Sequence, residues 1–408
     1  MPGYGSRYWD ERTGENRRRA YPKFKGGKHT ADMVIIGGGL TGATAAYVLA
    51  SAGIDVMLLE GERIATGSTA GGVGAIVPEP AESFRSVEAN CGKRVARDAW
   101  NETAKAAADF AAALGKLKTS SDLASAPFIV NASQSEEAAQ LRKEQAARRS
   151  NGVVAPWLNG QAVQAEANTD SQGAIRLGGG SVYDPVRAAL GLGGAAEAAG
   201  ARIFEKSPVR RVTFTRKYAD VFLASGSIRT RGVYVATGEP GRLYGQLRRH
   251  VRMTAGYAVV TEPLSAAMRR ESGKRKCVLT EGREDRLWVR WLTEDRVLAS
   301  GAVGRPVGPR LRDKTVMHKT AELMYQLSLR YPVISGLPAG YGWDVPLCST
   351  QDGLPWIGPH RNYPFHFFAL AFGWHGDALA WLAARMALRQ FRGETRREDD
   401  AFGFVRHL

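Results

Sequence analysis

The chain has few cysteines and no long apolar run. Its three cysteines, Cys91, Cys277 and Cys348, are far apart in 408 residues, which excludes a disulfide framework and a CxxC metal site. No stretch reaches the ~18 to 20 uninterrupted apolar residues that a membrane-spanning helix needs. The N-terminus lacks the apolar core of a secretory signal. We therefore expect a cytoplasmic protein without a bound metal, since no cluster of histidine, cysteine or acidic residues has ligand spacing.

The composition is that of a globular protein with an excess of positive charge. Hydrophobic residues make up 44% of the chain and charged residues 24%, which excludes overall disorder or a fibrous repeat. The net charge of +16 attracts polyanions, anionic membranes or acidic substrates. The arginines form pairs and triplets, without the aromatic and basic alternation of a groove that binds single-stranded nucleic acid. We interpret the charge as a general surface property and keep nucleic acid as a secondary possibility.

Residues 31–60 carry the pattern of a dinucleotide-binding unit. An apolar, β-branched run at 31–36 predicts a buried parallel strand, and the sequence GGGLTG follows at 37–42. The first glycine permits a tight turn, the second lets a pyrophosphate approach the backbone, and the third lets the next helix pack on the strand. The helix N-terminus offers unpaired N–H groups to phosphates. Glu60 ends a second strand, where it can accept hydrogen bonds from ribose hydroxyls.

The remaining chain predicts both helices and strands. Residues 1–30 are polar and basic and are interpreted as an arm that lies over the surface. Alternation through 251–302 predicts strands of a half-buried antiparallel sheet. Helices are predicted at 86–114, 135–149, 185–200, 314–331 and 377–390, and further strands at 201–204, 209–215, 219–224 and 231–236.

Three further stretches resemble the D-amino-acid oxidase/glycine oxidase family of flavoproteins. They read GGGSVYDP at 178–185, YVATG at 234–238, and STQDGLPWIG at 349–358 with FALAFGWHG at 368–376. The opening residues, RYW at 7–9 and RAYP at 19–22, are similar to the γ-glutamylputrescine oxidoreductase-like branch. The resemblance covers nearly the whole chain in the right order.

The resemblance implies an α/β fold with two interleaved domains. One is a doubly wound, Rossmann-like FAD-binding domain, and the other is a smaller α+β substrate domain with a mostly antiparallel sheet. The expected division is a basic N-terminal arm at 1–30, the FAD-binding domain at 31–90, 180–250 and 340–408, and the substrate domain at 91–179 and 251–339.

The resemblance also implies one non-covalently bound FAD. The fingerprint glycines would hold its pyrophosphate, Glu60 its adenosine ribose, and the turn before residue 377 the pyrimidine end of the flavin. Cys348 is the alternative point for a covalent bond, although the linking cysteine of the sarcosine-oxidase branch lies further upstream. The residues expected to contact FAD are Gly37, Gly39, Leu40, Thr41, Gly42, Glu60, Ser68, Thr69, Gly71, Gly72, Val209, Thr237, Gly238, Gly353, Leu354, Gly373, Trp374, His375, Gly376 and Asp377.

The implied reaction is oxidation of the C–N bond of a small amine or amino acid by hydride transfer to flavin N5, giving an imine that hydrolyses. Arg290, which shares a strand face with Trp288, is the first candidate to bind a substrate carboxylate. Tyr257 and His375 are further catalytic candidates. The alternatives are an exposed strand arginine, a half-buried core tyrosine, and a turn that acts through its backbone.

Two other functions stay open at this point. A related flavin domain acts on a modified tRNA base, and a basic surface would suit such a polyanion. The other possibility is a non-catalytic protein that keeps the FAD site.

Overall fold

The computed structural model describes residues 3–14, 16, 18–117, 119–272, 275–281 and 287–406. No helix in this part of the chain pairs the length with the apolar character that a bilayer crossing requires. The helices are α1 (Tyr8–Thr13), α2 (Leu40–Ala50), α3 (Ser68–Gly71), α4 (Phe84–Cys91), α5 (Lys93–Leu117), α6 (Ser135–Ser150), α7 (Gly160–Ala167), α8 (Pro185–Ala198), α9 (Ala266–Ser272), α10 (Pro309–Arg330) and α11 (Gly376–Phe391). The strands are β1 (Gly3–Tyr4), β2 (Gly27–Ile36), β3 (Val56–Leu59), β4 (Ala75–Ile76), β5 (Ala124–Ser125), β6 (Phe128–Ala132), β7 (Trp157–Leu158), β8 (Gly173–Leu177), β9 (Ser181–Val182), β10 (Arg202–Phe204), β11 (Arg211–Phe214), β12 (Ala219–Phe222), β13 (Gly226–Gly238), β14 (Arg252–Thr261), β15 (Val278–Glu281), β16 (Trp288–Trp291), β17 (Val297–Gly304), β18 (Ala339–Ser349), β19 (Trp356–His360) and β20 (Tyr363–Leu370).

An eight-stranded sheet forms the doubly wound half of the molecule. Strands β10, β3, β2 and β13 run parallel in that order, and β20 pairs in parallel with the second half of β13. Helices α2, α8, α11 and α5 pack against one another beside this sheet. Ligands of such sheets bind at the carboxyl ends of the strands. In this protein those ends carry the glycine turn after β2 and the turn at Thr237 and Gly238.

A nine-stranded, mostly antiparallel sheet forms the second half. Its order is β1-β18-β14-β17-β16-β15-β6-β8-β7, with parallel pairs only at β1–β18 and β15–β6 among the described strands. One face, which carries Trp288 and Trp343, packs toward the doubly wound half. The other face, which carries Tyr257 and Val289, packs on α10. This arrangement confirms the predicted α/β fold with a second, mostly antiparallel unit.

The structure corrects two predicted boundaries. The single helix predicted at 86–114 is two helices, because Gly92 adopts a φ of +87° that ends α4. The predicted domain boundary at residue 340 cuts into β18, which pairs with β14 from Ala339 to Ser349 in the nine-stranded sheet. Helix α5, placed by the prediction in the substrate domain, packs against α11 of the doubly wound half. We propose that the domain division follows the two sheets, with these segments reassigned.

The described part of the predicted arm folds onto the protein. Strand β1 pairs with β18 at Tyr341 and Gly342, and α1 buries Tyr8 and Trp9 almost completely. Strand β2 begins at Gly27, so residues 27–30 belong to the doubly wound sheet. The N-terminal segment therefore packs across both halves.

Candidate active site

A cavity of about 610 Å³ opens at the carboxyl ends of β2 and β13. It runs from the glycine turn to the segment before α11, along the seam between the two sheets. The predicted cofactor residues that line it are Gly37, Gly39, Leu40, Thr41, Glu60, Ser68, Thr69, Gly72, Val209, Thr237, Gly238, Gly373, Trp374, Gly376 and Asp377. The sequence prediction missed other lining residues, among them Val73, Pro185, Glu239, Met253 and Val345.

The glycine turn is crowded on its inner side and approachable on its cavity side. A Cβ at Gly37, whose φ is +107°, would lie 2.5 Å from the carbonyl oxygen of Ala236. A Cβ at Gly42 would collide with the carbonyl oxygen of Gly37, so only glycine lets α2 pack this closely. A Cβ at Gly39 would meet only the Thr69 hydroxyl, at 3.0 Å. Gly39 therefore leaves its backbone accessible from the cavity.

Two side chains hold this turn in place. Glu60 accepts hydrogen bonds from the N–H of Gly38 through Oε2 at 2.5 Å and from the N–H of Glu62 through Oε1 at 2.8 Å. Thr69 Oγ1 accepts from the N–H of Leu40, the first residue of α2, at 2.8 Å. The start of α2 therefore lines the cavity in a fixed position, and the Glu60 carboxylate lies beside it.

The remaining predicted cofactor residues lie outside this cavity lining. The carbonyl of Gly71 accepts from Trp343 Nε1 at 3.1 Å. Gly353 has a φ of +80° and packs against Glu82, while Leu354 is fully buried. Gly42, whose role in packing α2 is described above, also lies outside the lining. His375 lines a second cavity instead.

The second cavity, of about 430 Å³, lies across the turn at residues 373–377 from the first one. Strands of the nine-stranded sheet form one wall through Phe128, Leu177 and Trp288, and helix α6 contributes to the other wall. Because His375 lines this cavity while its neighbours 373, 374, 376 and 377 line the first, the turn separates the two.

His375 precedes α11 directly and is 5% exposed. Its Nδ1 lies 2.9 Å from the carbonyl oxygen of Glu79, and its ring packs edge-on against Trp288 with 5.3 Å between the centroids. His375 therefore lies at the boundary between the two cavities, and its predicted contact with a flavin or a substrate stays a prediction.

Arg290 lies on the predicted face with Trp288, but it lines neither cavity. Its Nη1 donates to the carbonyl oxygens of Val73 at 2.7 Å, Gly74 at 2.7 Å and Tyr183 at 2.8 Å. Burial lowers the pKa of Arg290 to about 10. These three carbonyls engage Nη1 and give Arg290 a structural role, and neither cavity lining supports its predicted role as a carboxylate anchor.

Tyr257 faces away from both cavities. A Cβ at the preceding residue, Gly256, would lie 2.5 Å from the Trp374 ring, so Gly256 faces the first cavity. Side chains alternate along a strand, which places Tyr257 on the side of α10. There it lies near Asp344, and burial raises its pKa. The prediction of Tyr257 as a catalytic residue is not supported by this geometry.

A buried ion network on the wall of the second cavity escaped the sequence analysis. Arg148 donates from Nη1 to Glu79 Oε2 at 2.5 Å and from Nε to Glu144 Oε1 at 2.7 Å. All three side chains are less than 10% exposed. The spacing of four residues on α6 could have indicated the pair Glu144 and Arg148. Glu79 lies far away in sequence and gave no such signal.

Comparison with known proteins identifies the family. The model of the FAD dependent oxidoreductase family (DAO) matches residues 32–390. The chain is 23% identical over 381 residues to gamma-glutamylputrescine oxidoreductase of Escherichia coli, which covers 93% of this chain and 87% of that protein. It is 23% identical over 399 residues to the probable oxidoreductase OrdL of Haemophilus influenzae, covering 96% and 89%. The crystal structure of glycine oxidase from Geobacillus kaustophilus superposes with a TM-score of 0.78 at 19% identity, covering 93% and 100%.

The chain belongs to this family of FAD-dependent oxidoreductases. FAD is therefore its cofactor, and the residues of the first cavity fit it. The glycine at position 39 leaves room for a pyrophosphate, the start of α2 supplies N–H donors, and Glu60 is placed for a ribose. The individual contacts remain proposals.

Asp377, in the first turn of α11, lines the FAD cavity and has an unusual protonation equilibrium. Burial raises its pKa to about 6, against the opposing effects of Tyr183, the Ala75 backbone and Arg290. The pKa of Asp377 is higher in the folded than in the unfolded chain. Its contribution to the free energy of unfolding is therefore most favourable below its ordinary pKa of 3.8. This stability is lost as the pH rises toward about 6 and stays lost above it.

Replacing Asp377 with asparagine should remove this pH dependence. We expect Asp377→Asn to raise the free energy of unfolding by about 2 kcal/mol at neutral pH, because an ionised carboxylate is no longer buried. Under acidic conditions, where the aspartate is protonated in both states, the two proteins should have similar stability. Denaturant unfolding across this pH range is the measurement, and an equal difference at every pH would contradict the assignment.

The N-terminal segment clamps the loop that borders the FAD cavity. Trp9 Nε1 donates to the carbonyl oxygen of Gly72 at 2.8 Å, and Arg7 donates to the carbonyl oxygens of Thr66 and Gly67. The Arg290 guanidinium lies 5.3 Å from the centroid of the Trp9 ring. These contacts hold the loop from outside while Arg290 holds it from inside.

Loss of the Trp9 donor should weaken FAD binding while the fold persists. Trp9→Phe keeps an aromatic ring but leaves the Gly72 carbonyl without this partner, which is worth about 1 kcal/mol. We expect about a fivefold higher dissociation constant for FAD, measured by fluorescence titration of the flavin-free protein. Phe214→Leu, at an exposed site outside both cavity linings, is the control. Unchanged affinity in Trp9→Phe would show that the clamp does not act on the cofactor.

Proposed function

We propose that this enzyme oxidises the C–N bond of a small amine or amino acid, with FAD as the two-electron oxidant. The observation that carries the proposal is the second cavity, which lies beside the FAD cavity and shares with it the turn at residues 373–377. Its volume of about 430 Å³ suits a small molecule. The names of similar proteins also support this class: they include gamma-glutamylputrescine oxidoreductase, glycine oxidase and an L-amino acid deaminase of Proteus vulgaris.

The proposed reaction transfers two electrons from the amine to FAD. The C–H bond next to nitrogen breaks, and hydrogen leaves with both electrons as hydride to FAD. The nitrogen lone pair forms the C=N bond, and water then converts the imine to a carbonyl compound and an amine. The protein's part is to bind the amine in its neutral form, because an ammonium has no lone pair to donate. The walls formed by Phe128, Leu177 and Trp288 favour this form by excluding water.

We further propose that FAD is held without a covalent bond. Cys348 lines the FAD cavity, but burial raises its pKa to about 12, so the reactive thiolate is scarce at neutral pH. All three cysteines are unpaired, which supports a reducing, cytoplasmic location. Acid precipitation should leave the yellow colour in the supernatant. A yellow pellet would show a covalent link.

The test of the proposed reaction is anaerobic reduction of the purified protein by a panel of amines and amino acids. We expect at least one compound to bleach the flavin absorbance stoichiometrically. Deuterium on the reacting carbon should slow the bleaching about threefold or more, since that bond breaks in the step. If dithionite reduces the flavin but no amine or amino acid does, the proposed function is wrong.

A further inference from the structure

The charge on the second cavity has the opposite sign to that of the whole chain. The chain carries a net charge of +16, yet six glutamates and only two arginines, Arg85 and Arg148, line this cavity, with no lysine among its described lining residues. Glu281 is paired with Arg330 of α10 and can be set aside. Glutamates still outnumber arginines among the described lining residues. The surface excess of positive charge therefore does not extend to this site.

The buried part of the cavity wall carries a cluster of charged side chains. Arg148 is shared by two carboxylates, those of Glu79 and Glu144. Glu144 also accepts hydrogen bonds from the N–H groups of Phe84 and Arg85, at 2.7 and 3.2 Å. The network lies next to His375, whose Nδ1 is 2.9 Å from the Glu79 carbonyl. Carboxylates grouped along a cavity wall favour a cationic ligand nearby.

The mouth of the cavity adds further carboxylates. Glu82 and Glu136 are exposed and line the cavity, and neither forms an ion pair with any part of the chain that the structure describes. Arg85 is also exposed. Of the two arginines among the described lining residues, only Arg148 forms side-chain ion pairs with Glu79 and Glu144. The opening therefore attracts cations more strongly than carboxylates.

The inner end of the cavity is apolar and contains one buried donor. Trp288 is 2% exposed and lies on the sheet face that borders the cavity, and its Nε1 has no hydrogen-bond acceptor among the residues that the structure describes. A buried donor without a partner is unfavourable unless a ligand supplies an acceptor atom. Together with Phe128 and Leu177, this end suits the uncharged, reacting part of a substrate.

From this distribution we propose that the substrate is an amine with a second, cationic amine a few methylene groups away, as in an alkyl diamine or polyamine. This proposal rests on the proposed function and names its substrate class. The reacting amine lies neutral at the apolar end near Trp288 and His375. The distal ammonium lies at the mouth, near the carboxylates of Glu82 and Glu136. An α-amino acid fits less well, because its carboxylate would lie among these glutamates.

The test compares three probes in anaerobic reduction of the FAD-loaded enzyme: 1,4-diaminobutane, butylamine and glycine. The diamine is expected to have the highest second-order rate constant for bleaching, by about 100-fold over butylamine, because it gains a charge interaction with partly buried carboxylates. This advantage should shrink as salt is added, since the mouth is exposed to solvent.

Variants separate charge from other contributions. The double variant Glu82→Gln/Glu136→Gln should lower the ratio of the rate constant for the diamine to that for butylamine about fivefold to tenfold. Glu394→Gln removes one negative charge just beyond the far end of α11 and is the control for the loss of a surface carboxylate outside the cavity. Trp288→Phe keeps an aromatic ring and removes the N–H donor. It should lower the rate constants for both amines about fivefold.

The outcomes distinguish the two proposals. If butylamine or glycine reduces the flavin as fast as the diamine, or if the glutamine variant and its control behave alike, the inference of a cationic substrate is wrong while the amine oxidoreductase proposal stands. If no amine or amino acid reduces the flavin, both proposals are wrong. Both proposals are supported if the enzyme prefers the diamine, the double variant lowers this preference and Glu394→Gln keeps it.

Discussion

Gly39→Val is expected to yield a folded protein that purifies without flavin. Gly39 is the residue before α2, and its backbone faces the cavity where the family fingerprint places the pyrophosphate. A valine side chain would occupy that approach and press on the Thr69 hydroxyl, which lies 3.0 Å from the position of a Cβ. We expect the FAD dissociation constant to rise at least about 100-fold, because a steric clash and lost backbone hydrogen bonds act together.

Gly194→Val provides the control for this substitution. Gly194 lies in α8, and a Cβ there would meet nothing within 4 Å. This variant should bind FAD normally, and circular dichroism should show that both proteins keep their helices. A Gly39→Val protein with a full complement of flavin would show that the cofactor does not lie against the glycine turn.

Arg290→Met is expected to destabilise the fold. The substitution keeps much of the side-chain volume but leaves the carbonyls of Val73, Gly74 and Tyr183 without their shared donor. We expect the free energy of unfolding to fall by about 3 kcal/mol, because buried acceptors are left unpaired. Flavin affinity should fall as well, because Val73 belongs to the loop that lines the FAD cavity.

Denaturant unfolding and flavin titration measure these effects, with Arg216→Met as the control. Arg216 is exposed in the turn between β11 and β12, so its replacement should leave both quantities unchanged. If Arg290 bound a substrate carboxylate instead, Arg290→Met would raise KM for an amino acid and leave stability intact. That result would restore the role predicted from the sequence.

The doubly wound half could be predicted because its signals are local. The strand, glycine turn and helix of residues 31–50 follow one another along the chain, and each glycine has a steric reason within that stretch. The turn at Thr237 and Gly238 and the segment at 373–377 were likewise marked by glycines. The structure brings all three to one cavity because parallel strands end at the same edge of a sheet.

The substrate half was harder, because its determinants act through space. Alternation correctly placed Trp288 and Arg290 on one face, but the three carbonyls that occupy Arg290 come from other segments of the chain. The face of the sheet on which Tyr257 lies could not be assigned without knowing that Gly256 approaches Trp374. The pairing of Glu79 with Arg148 joins residues 69 positions apart. No local pattern predicts such contacts.

The most direct test of this account is a crystal structure of the FAD-loaded protein. We predict density for FAD in the cavity lined by Gly37, Gly39 and Glu60, with the flavin ring at the turn of residues 373–377. The ring should face the second cavity, where His375 and Trp288 lie. Flavin density that ends away from this turn, or a ring walled off from the second cavity, would contradict the proposed active site.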